Sequence, residues 1–377
     1  MKYSIFSILI LILFNPSCIS QEKKPDIIKI DINQKRINGV FNDYFSSSNV
    51  IPLETTENAL FSRINKLSLF DDKFFILDKS LNGVFVFNKT GAFLYKIQEV
   101  GRGPREYNSL MDFTIDKVNK QIILYTDRPY KLFFYNIDGE FVKQESMNDL
   151  FKSIAHLNNK ILFRNTDVEK KHILFEYDLK TGKEKGFVQA NAKDKLFEHS
   201  AVGNPYITTS KDIHITYPYS DVIYTYNGNS VIPKYHIDFG DRKMPDNVYD
   251  MEKKLDGVME YAMENNYGWG ITNFRENKNF ITFNYHAYKL AIYSKKTKET
   301  KLFANFEKDK LDFFNYLAHD GDDNKLISYY NAIQFKKKLD YLKNEGDWEE
   351  VPKYIKDINN KVSKFDNPLL IIYTFKE

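Results

Sequence analysis

The sequence predicts an all-β fold, a six-bladed β-propeller of four-stranded antiparallel blades with short helical insertions in the last two blades. Three observations carry the prediction. One hairpin pattern occurs twice, as ILDKSLNGVFVFNKTGAF over 76–93 and LYTDRPYKLFFYNIDGEF over 124–141. The copies superpose without a gap at an offset of 48 residues, with Phe85 on Phe133, Asn88 on Asn136, Gly91 on Gly139 and Phe93 on Phe141. A hairpin recurring at about 40–50 residues is the mark of a propeller blade. The aromatic residue before the turn then recurs six times, at Phe87, Tyr135, Tyr177, Tyr226, Tyr293 and Tyr373. Finally, Tyr (26) and Phe (31) are abundant, and such side chains suit pleated, half-buried surfaces.

The first residues read as an export signal. Lys2 precedes an apolar-and-Ser run from Ile5 to Phe14. Ten residues are too few for a bilayer, which needs roughly 20, and they fit the h-region of a signal peptide. The run ends at Asn15-Pro16-Ser17-Cys18, and Cys18 is the only cysteine. The expected division is a lipoprotein-type signal peptide over 1–17, a polar tether over 18–25 and one propeller domain over 26–377. Cys18 is then the lipidated N-terminus; ordinary cleavage, for example after Ser20, is the alternative. No disulfide can form within the chain. With 54 Lys plus Arg against 51 Asp plus Glu, the net charge of +3 gives no reason to expect nucleic acid.

Within the domain, a strand is expected over Ile27–Ile32, where Ile28, Ile30 and Ile32 alternate. The anchor spacings are 48, 42, 49, 67 and 80 residues, so the last two exceed a blade. The surplus falls at about 241–268 and about 332–366. In the first insertion Val248, Met251, Leu255, Val258, Met259 and Ala262 have helical spacing; in the second, Phe335, Leu339 and Leu342 share a face. These helices are expected to cap one end of the ring, with a lid or docking surface as the alternative. The final strand, 367–375, is followed by nothing, so the N-terminal segment around Ile27–Leu53 is expected to complete the last blade and remove an open edge.

The segment LSLFDDKFFILDKSLNGVFVFNKTGAFLYKIQEVGRGPREY, the DFTID that follows it, the turn Asn136-Ile137-Asp138-Gly139, IDFG over 237–240 and NPLLIIYTFK near the C-terminus carry a resemblance. Together they resemble the six-bladed propeller lipoproteins of Gram-negative bacteria, NHL- or TolB-like and of uncharacterised function. The family shows Gly-x-Gly-Pro-Gly-Glu-Tyr after the first blade; here Arg105 stands at the last Gly. The resemblance implies the fold and export, and it brings no catalytic residues.

Candidate ligand-binding residues are Arg102, Arg105 and Tyr107 in the loop Gly101–Tyr107, and Tyr219, Trp269 and Tyr288 among the aromatic clusters. Arginine suits carboxylates, and a Tyr or Trp face with its polar rim suits a sugar or peptide. Inter-blade turns and core packing are the structural alternatives. Asp320-Gly321-Asp322-Asp323-Asn324 lacks the EF-hand pattern and reads as a hairpin turn. The seven histidines are scattered without zinc spacing, so no metal and no cofactor are expected. No Gly-x-Ser-x-Gly elbow is present. The expectation is a non-enzymatic, exported protein of the cell envelope, held by an outer-membrane lipid anchor, that binds a protein or glycan. An envelope carbohydrate-active hydrolase or lyase at the channel mouth is the alternative. An enzyme should bring two carboxylates, or a histidine and a carboxylate, together beside a pocket.

Overall fold

The structure is a computed structural model that describes residues 24–165, 170–190, 206–208, 211–217, 219–248, 255–286, 289–312 and 319–377. Its strands form six mostly antiparallel sheets arranged as the blades of a ring. Blade 1 comprises Lys66–Phe70, Lys73–Asp78, Gly83–Asn88 and Phe93–Ile97. Blade 2 comprises Ser109–Asp116, Gln121–Asp127, Lys131–Asn136 and Phe141–Ser146. Blade 3 spans Ser153–Leu157 to Glu184–Gly186, blade 4 Tyr206–Thr208 to Val231–Asp238, and blade 5 Thr272–Glu276 to Glu299–Lys308. The sheet of blade 6 has three strands, not four: Lys325–Tyr330, Leu369–Phe375 and Phe45–Pro52. His319–Asp320, which would be its innermost strand, pairs parallel with Lys66–Phe70 and so joins blade 6 to blade 1.

Blades stack face to face, so both faces of the middle strands are buried. That is why Gly83–Asn88 reads as a continuous apolar run, while the outer strand Phe93–Ile97 alternates towards solvent. Among the described residues the buried hydrophobic side chains form one cluster per neighbouring pair of blades, six of them, and a smaller seventh in the connection between blades 4 and 5. The cluster of Leu67, Phe74, Ile76, Phe85, Ile327 and Leu370 between blades 6 and 1 closes the ring. Phe87, Tyr135, Tyr177, Tyr226, Tyr293 and Tyr373 all fall in the strand before the outermost one of their blades.

The repeated Asn and Gly of the turns have a direct cause. Gly91 and Gly139 both have φ of +88°, which disfavours a side chain. Asn88 Oδ1 accepts from the amides of Thr90 and Ala92, and Asn136 Oδ1 from those of Asp138 and Glu140. Each asparagine thus supplies the hydrogen bonds that shape its turn.

The N-terminal segment does more than close one blade. Asp26–Lys29 adds a parallel strand to the outer edge of blade 4, and Ile37–Gly39 adds one to blade 5. Only Phe45–Pro52 completes blade 6, antiparallel to Leu369–Phe375. The expectation that the whole segment serves the last blade is corrected in this respect: three successive pieces strap three successive blades. Each edge so covered is removed from solvent.

Strand alternation gives the ring two distinct ends. Turns from first to second and from third to fourth strands lie at one end, the hairpin face. Connections from second to third strands and between blades lie at the other, the insertion face. Helix α1 (Phe41–Tyr44) lies in the strap. Helix α2 (Leu255–Glu264) lies in the connection into blade 5. Helices α3 (Ala332–Asn344) and α4 (Lys353–Lys361) lie between two strands of blade 6. An Asn331/Gln334 capping box starts α3, and it ends before Gly346, at φ +87°. Phe335, Leu339 and Leu342 of α3 and Ile355 of α4 are buried against the cluster shared by blades 5 and 6.

Candidate functional site

At the centre of the ring the inner strands carry polar groups that bind one another. Lys66 of blade 1 is buried; its Nζ lies 3.2 Å from Asp112 and donates to the carbonyls of Phe113 (2.7 Å) and Ile154 (3.2 Å). Asp112 in turn accepts from the amide of Ile154 at 2.8 Å. On the other side, Arg275 of blade 5 is fully buried and donates to the carbonyls of His319 and Asp322. These contacts tie neighbouring blades and are consumed in doing so. The cavities open at the ring's two faces are the candidate sites.

On the insertion face, blades 4 and 5 enclose a pocket of about 320 Å³. Tyr219 and Tyr224 come from blade 4, Phe239 and Met244 from the connection, and Trp269 from the entry to blade 5. Trp269 is packed on α2 with Met244, Val248 and Val258, and its Nε1 is buried without a hydrogen-bond partner among the described residues. Tyr219 is half-buried and stacks on Tyr217 at 5.9 Å between ring centres. Ser220, Asp221, Lys243 and Asp246 supply the polar edge. Asp221 is held by Lys243 at 3.1 Å and by His236 at 3.2 Å.

On the hairpin face, the turns of blades 4, 5 and 6 nearest the ring's axis surround a basin of about 680 Å³. Its inner wall is an ion cluster. Glu276 receives Lys295 at 2.6 Å and the Tyr235 hydroxyl at 2.7 Å on one oxygen, and faces Lys234 at 2.8 Å with the other. Burial alone would raise its pKa; the two lysines and the tyrosine reverse this and hold it at about 2. His214 Nδ1 lies 2.9 Å from the Thr225 hydroxyl, and Nε2 lies 3.6 Å from Asp212 and 3.7 Å from Glu276. Burial, reinforced by Lys234, pushes His214 down to about 4 against the pull of the two carboxylates. Asp323 sits beside Arg275 at 3.4 Å, and burial raises it to about 6.

The candidates taken from sequence divide between these places. Tyr219 and Trp269, 50 positions apart, line the insertion-face pocket together. Arg102, Arg105 and Tyr107 line neither cavity. Tyr107 is wholly buried, with its hydroxyl on the Asn82 carbonyl at 3.1 Å, so it is a packing residue. Arg105 lies over the Phe141 ring at 4.5 Å, and Arg102 is exposed. Their loop is a closed turn in which Glu106 accepts from the Gly103 amide at 2.7 Å. Tyr288 and Cys18 fall outside the described residues. Of Asp320–Asn324, Asp320 ends a strand and 321–324 form the turn that delivers Asp323 to the basin. Sequence reasoning missed the basin, since its groups come from three blades with no common spacing. A histidine two residues after an aspartate, Asp212 and His214, was the one local signal.

A family model described as a domain of unknown function, DUF4934, matches residues 26–374. The chain belongs to that family. No protein of the curated set matches the sequence. Among solved structures, a Bacteroides fragilis NCTC 9343 protein designated as exported superposes with a TM-score of 0.74 at 16% identity, covering 93% of this chain and 100% of that one. A Bacteroides vulgatus member of the DUF4221 family superposes at 0.46 and 11% identity, covering 88% of this chain and 97% of that one.

Proposed function

We propose that this member of the DUF4934 family is an exported, lipid-anchored propeller of the cell envelope that binds a glycan without transforming it. The observation that carries the reading is the pocket between blades 4 and 5. Two aromatic side chains from different blades meet there beside a carboxylate, a hydroxyl and an ammonium. Apolar faces with a few fixed polar groups are what a pocket for a sugar ring requires. Export is supported by the N-terminal apolar run and by the designation of the B. fragilis protein, and the anchor by Cys18.

The ion cluster supports binding over catalysis. A general acid or base works best with a pKa near the operating pH. Glu276 at about 2 and His214 at about 4 lie far below neutrality. One observation favours the hydrolase or lyase reading. Asp323 at about 6 and Glu276 at about 2 share the basin, and carboxylates with separated pKa values serve glycosidic chemistry. A single experiment separates the two. The mature chain, incubated with a panel of envelope and host glycans, is expected to retain at least one and release no product from any. Turnover of a panel member overturns the binding reading. For the anchor, Cys18→Ser is expected to move the protein from the membrane fraction to the soluble one and abolish fatty-acid labelling; unchanged fractionation contradicts it.

A further inference from the structure

The connection between the second and third strands of blade 5 gathers cations beside the aromatic pocket. Lys289 pairs with Tyr285 across the sheet, and its Nζ lies 5.8 Å from that ring's centre and 3.0 Å from His286 Nδ1. His286 Nε2 donates to the Tyr267 carbonyl, which leaves Nδ1 to accept from the Lys289 ammonium. The same loop is pinned to the pocket. The His286 amide donates to the Trp269 carbonyl at 2.9 Å, and the two rings stack at 5.9 Å. His286 is held there at φ +48°, in the left-handed region that a side chain disfavours. Arg36 approaches from the strap. It precedes Ile37, which pairs with Phe303, and Phe303 pairs in turn with Leu290, next to Lys289. Lys289 is half-buried and Arg36 exposed, and neither makes an ion pair among the described residues.

Three neighbouring groups feel the same sign of charge. Burial raises the Tyr285 hydroxyl to about 12, and Arg36 opposes it. Burial lowers the Lys289 ammonium, and Arg36 lowers it further. Burial takes His286 down to about 4, with Lys289 pushing the same way against the hydrogen bond to Tyr267. The carboxylates of the surrounding elements lie elsewhere. Asp221 and Asp246 line the pocket, the first held by Lys243 and His236. Asp31, Asp238 and Asp241 line a separate recess with Lys29 and Arg242. At the end of blade 5's outer strand Glu307 acts on Lys310, and beyond it Asp312 pairs with Lys338 at 2.7 Å.

We propose that the glycan bound between blades 4 and 5 is acidic, with its carboxylate or sulfate held by Lys289 and Arg36 and an uncharged ring against Tyr219 and Trp269. The inference rests on the glycan reading and names the class of glycan. The pocket, edged by Asp221 and Asp246, disfavours an anion, whereas the loop beside it offers two cations. Arginine presents paired donors to a planar anion, and lysine adds a point charge. Trp269 lines the pocket and stacks on the histidine that binds Lys289, so neighbouring units of one chain meet both places.

Titration calorimetry on the mature chain tests the proposal, with oligogalacturonate and a heparan sulfate tetrasaccharide as acidic probes and cellotetraose and mannotetraose as neutral ones. At least one acidic probe is expected to bind. Methyl-esterifying or desulfating it should weaken binding by roughly tenfold or more, the scale of one lost charged contact. Arg36→Gln, at an exposed position, and Lys289→Met are each expected to weaken the acidic form by about as much and to leave the neutralised form unchanged. Tyr219→Ala is expected to weaken both forms alike. Equal binding of charged and neutralised forms, binding of the neutral probes alone, or an acidic probe indifferent to both substitutions overturns the acidic class and leaves the glycan reading standing. Binding of no probe at millimolar concentration overturns the inference too, and retention of no member of the wider glycan panel overturns the glycan reading with it.

Discussion

Lys66 occupies a point where three blades meet. Its ammonium is nearly inaccessible, yet it has an ion pair to Asp112 and two carbonyl acceptors on blades 2 and 3. A buried charge so compensated is a poor source of net stability, but removing one partner leaves the other stranded. Lys66→Ala is therefore expected to lower unfolding stability by about 3–5 kcal/mol, measured by denaturant titration. Lys66→Met, which retains the stem, still strands Asp112 and should recover little. A loss below about 1 kcal/mol for the alanine variant would show that the pair behaves as a surface one. Nothing in the sequence marks Lys66: it stands between Asn65 and Leu67 at the start of a strand, and only ring closure brings Asp112 to it. Gly91 is the opposite case, because its role is local. Its positive φ and the Pro52 carbonyl, which a Cβ would approach to 2.1 Å, sit in a turn already legible from Asn88-Lys89-Thr90-Gly91.

At the scale of elements, hairpins were legible, whereas of the strap only the alternation of Ile28, Ile30 and Ile32 and the closing role of its last piece were, not the blades that its first two pieces join. A blade's third and fourth strands are joined by a short turn whose chemistry is written in adjacent residues, so the repeat survives in sequence. The strap strands Asp26–Lys29 and Ile37–Gly39 are four and three residues long and pair in parallel with strands about 200 or more positions away. No turn signal accompanies them. Their contribution is visible only in burial: Ile28, Ile30 and Ile32 are 1%, 3% and 8% exposed, within the cluster between blades 4 and 5. Ile28→Ala is expected to cost about 2–4 kcal/mol, read as a lower melting temperature with the β-sheet spectrum retained, because Phe45–Pro52 still closes the ring. An unchanged melting temperature would mean that the strap is a passive passenger. The helices were legible in outline because Phe335, Leu339 and Leu342 keep helical spacing and the capping residues lie beside them.

For the whole molecule, six aromatic anchors were enough to count the blades, and six inter-blade clusters confirm that number. Counting blades says nothing about ligands, since propellers serve many functions. The two cavities illustrate why. The aromatic pocket was half legible: Tyr219 and Trp269 stood out as aromatic residues near blade ends, but their meeting depends on the adjacency of blades 4 and 5. The basin was not legible, because Asp212, Glu276 and Asp323 approach one another only when three inner turns converge on the axis. Strand alternation then assigns the two cavities to opposite faces of the ring. The most direct test is the affinity of the mature chain and of its Tyr219→Ala variant for whichever glycan the panel retains. The account predicts that the variant loses roughly 1 kcal/mol or more, about a fivefold or greater weakening, with an unaltered melting temperature. Equal affinity for both proteins would contradict a glycan site between blades 4 and 5.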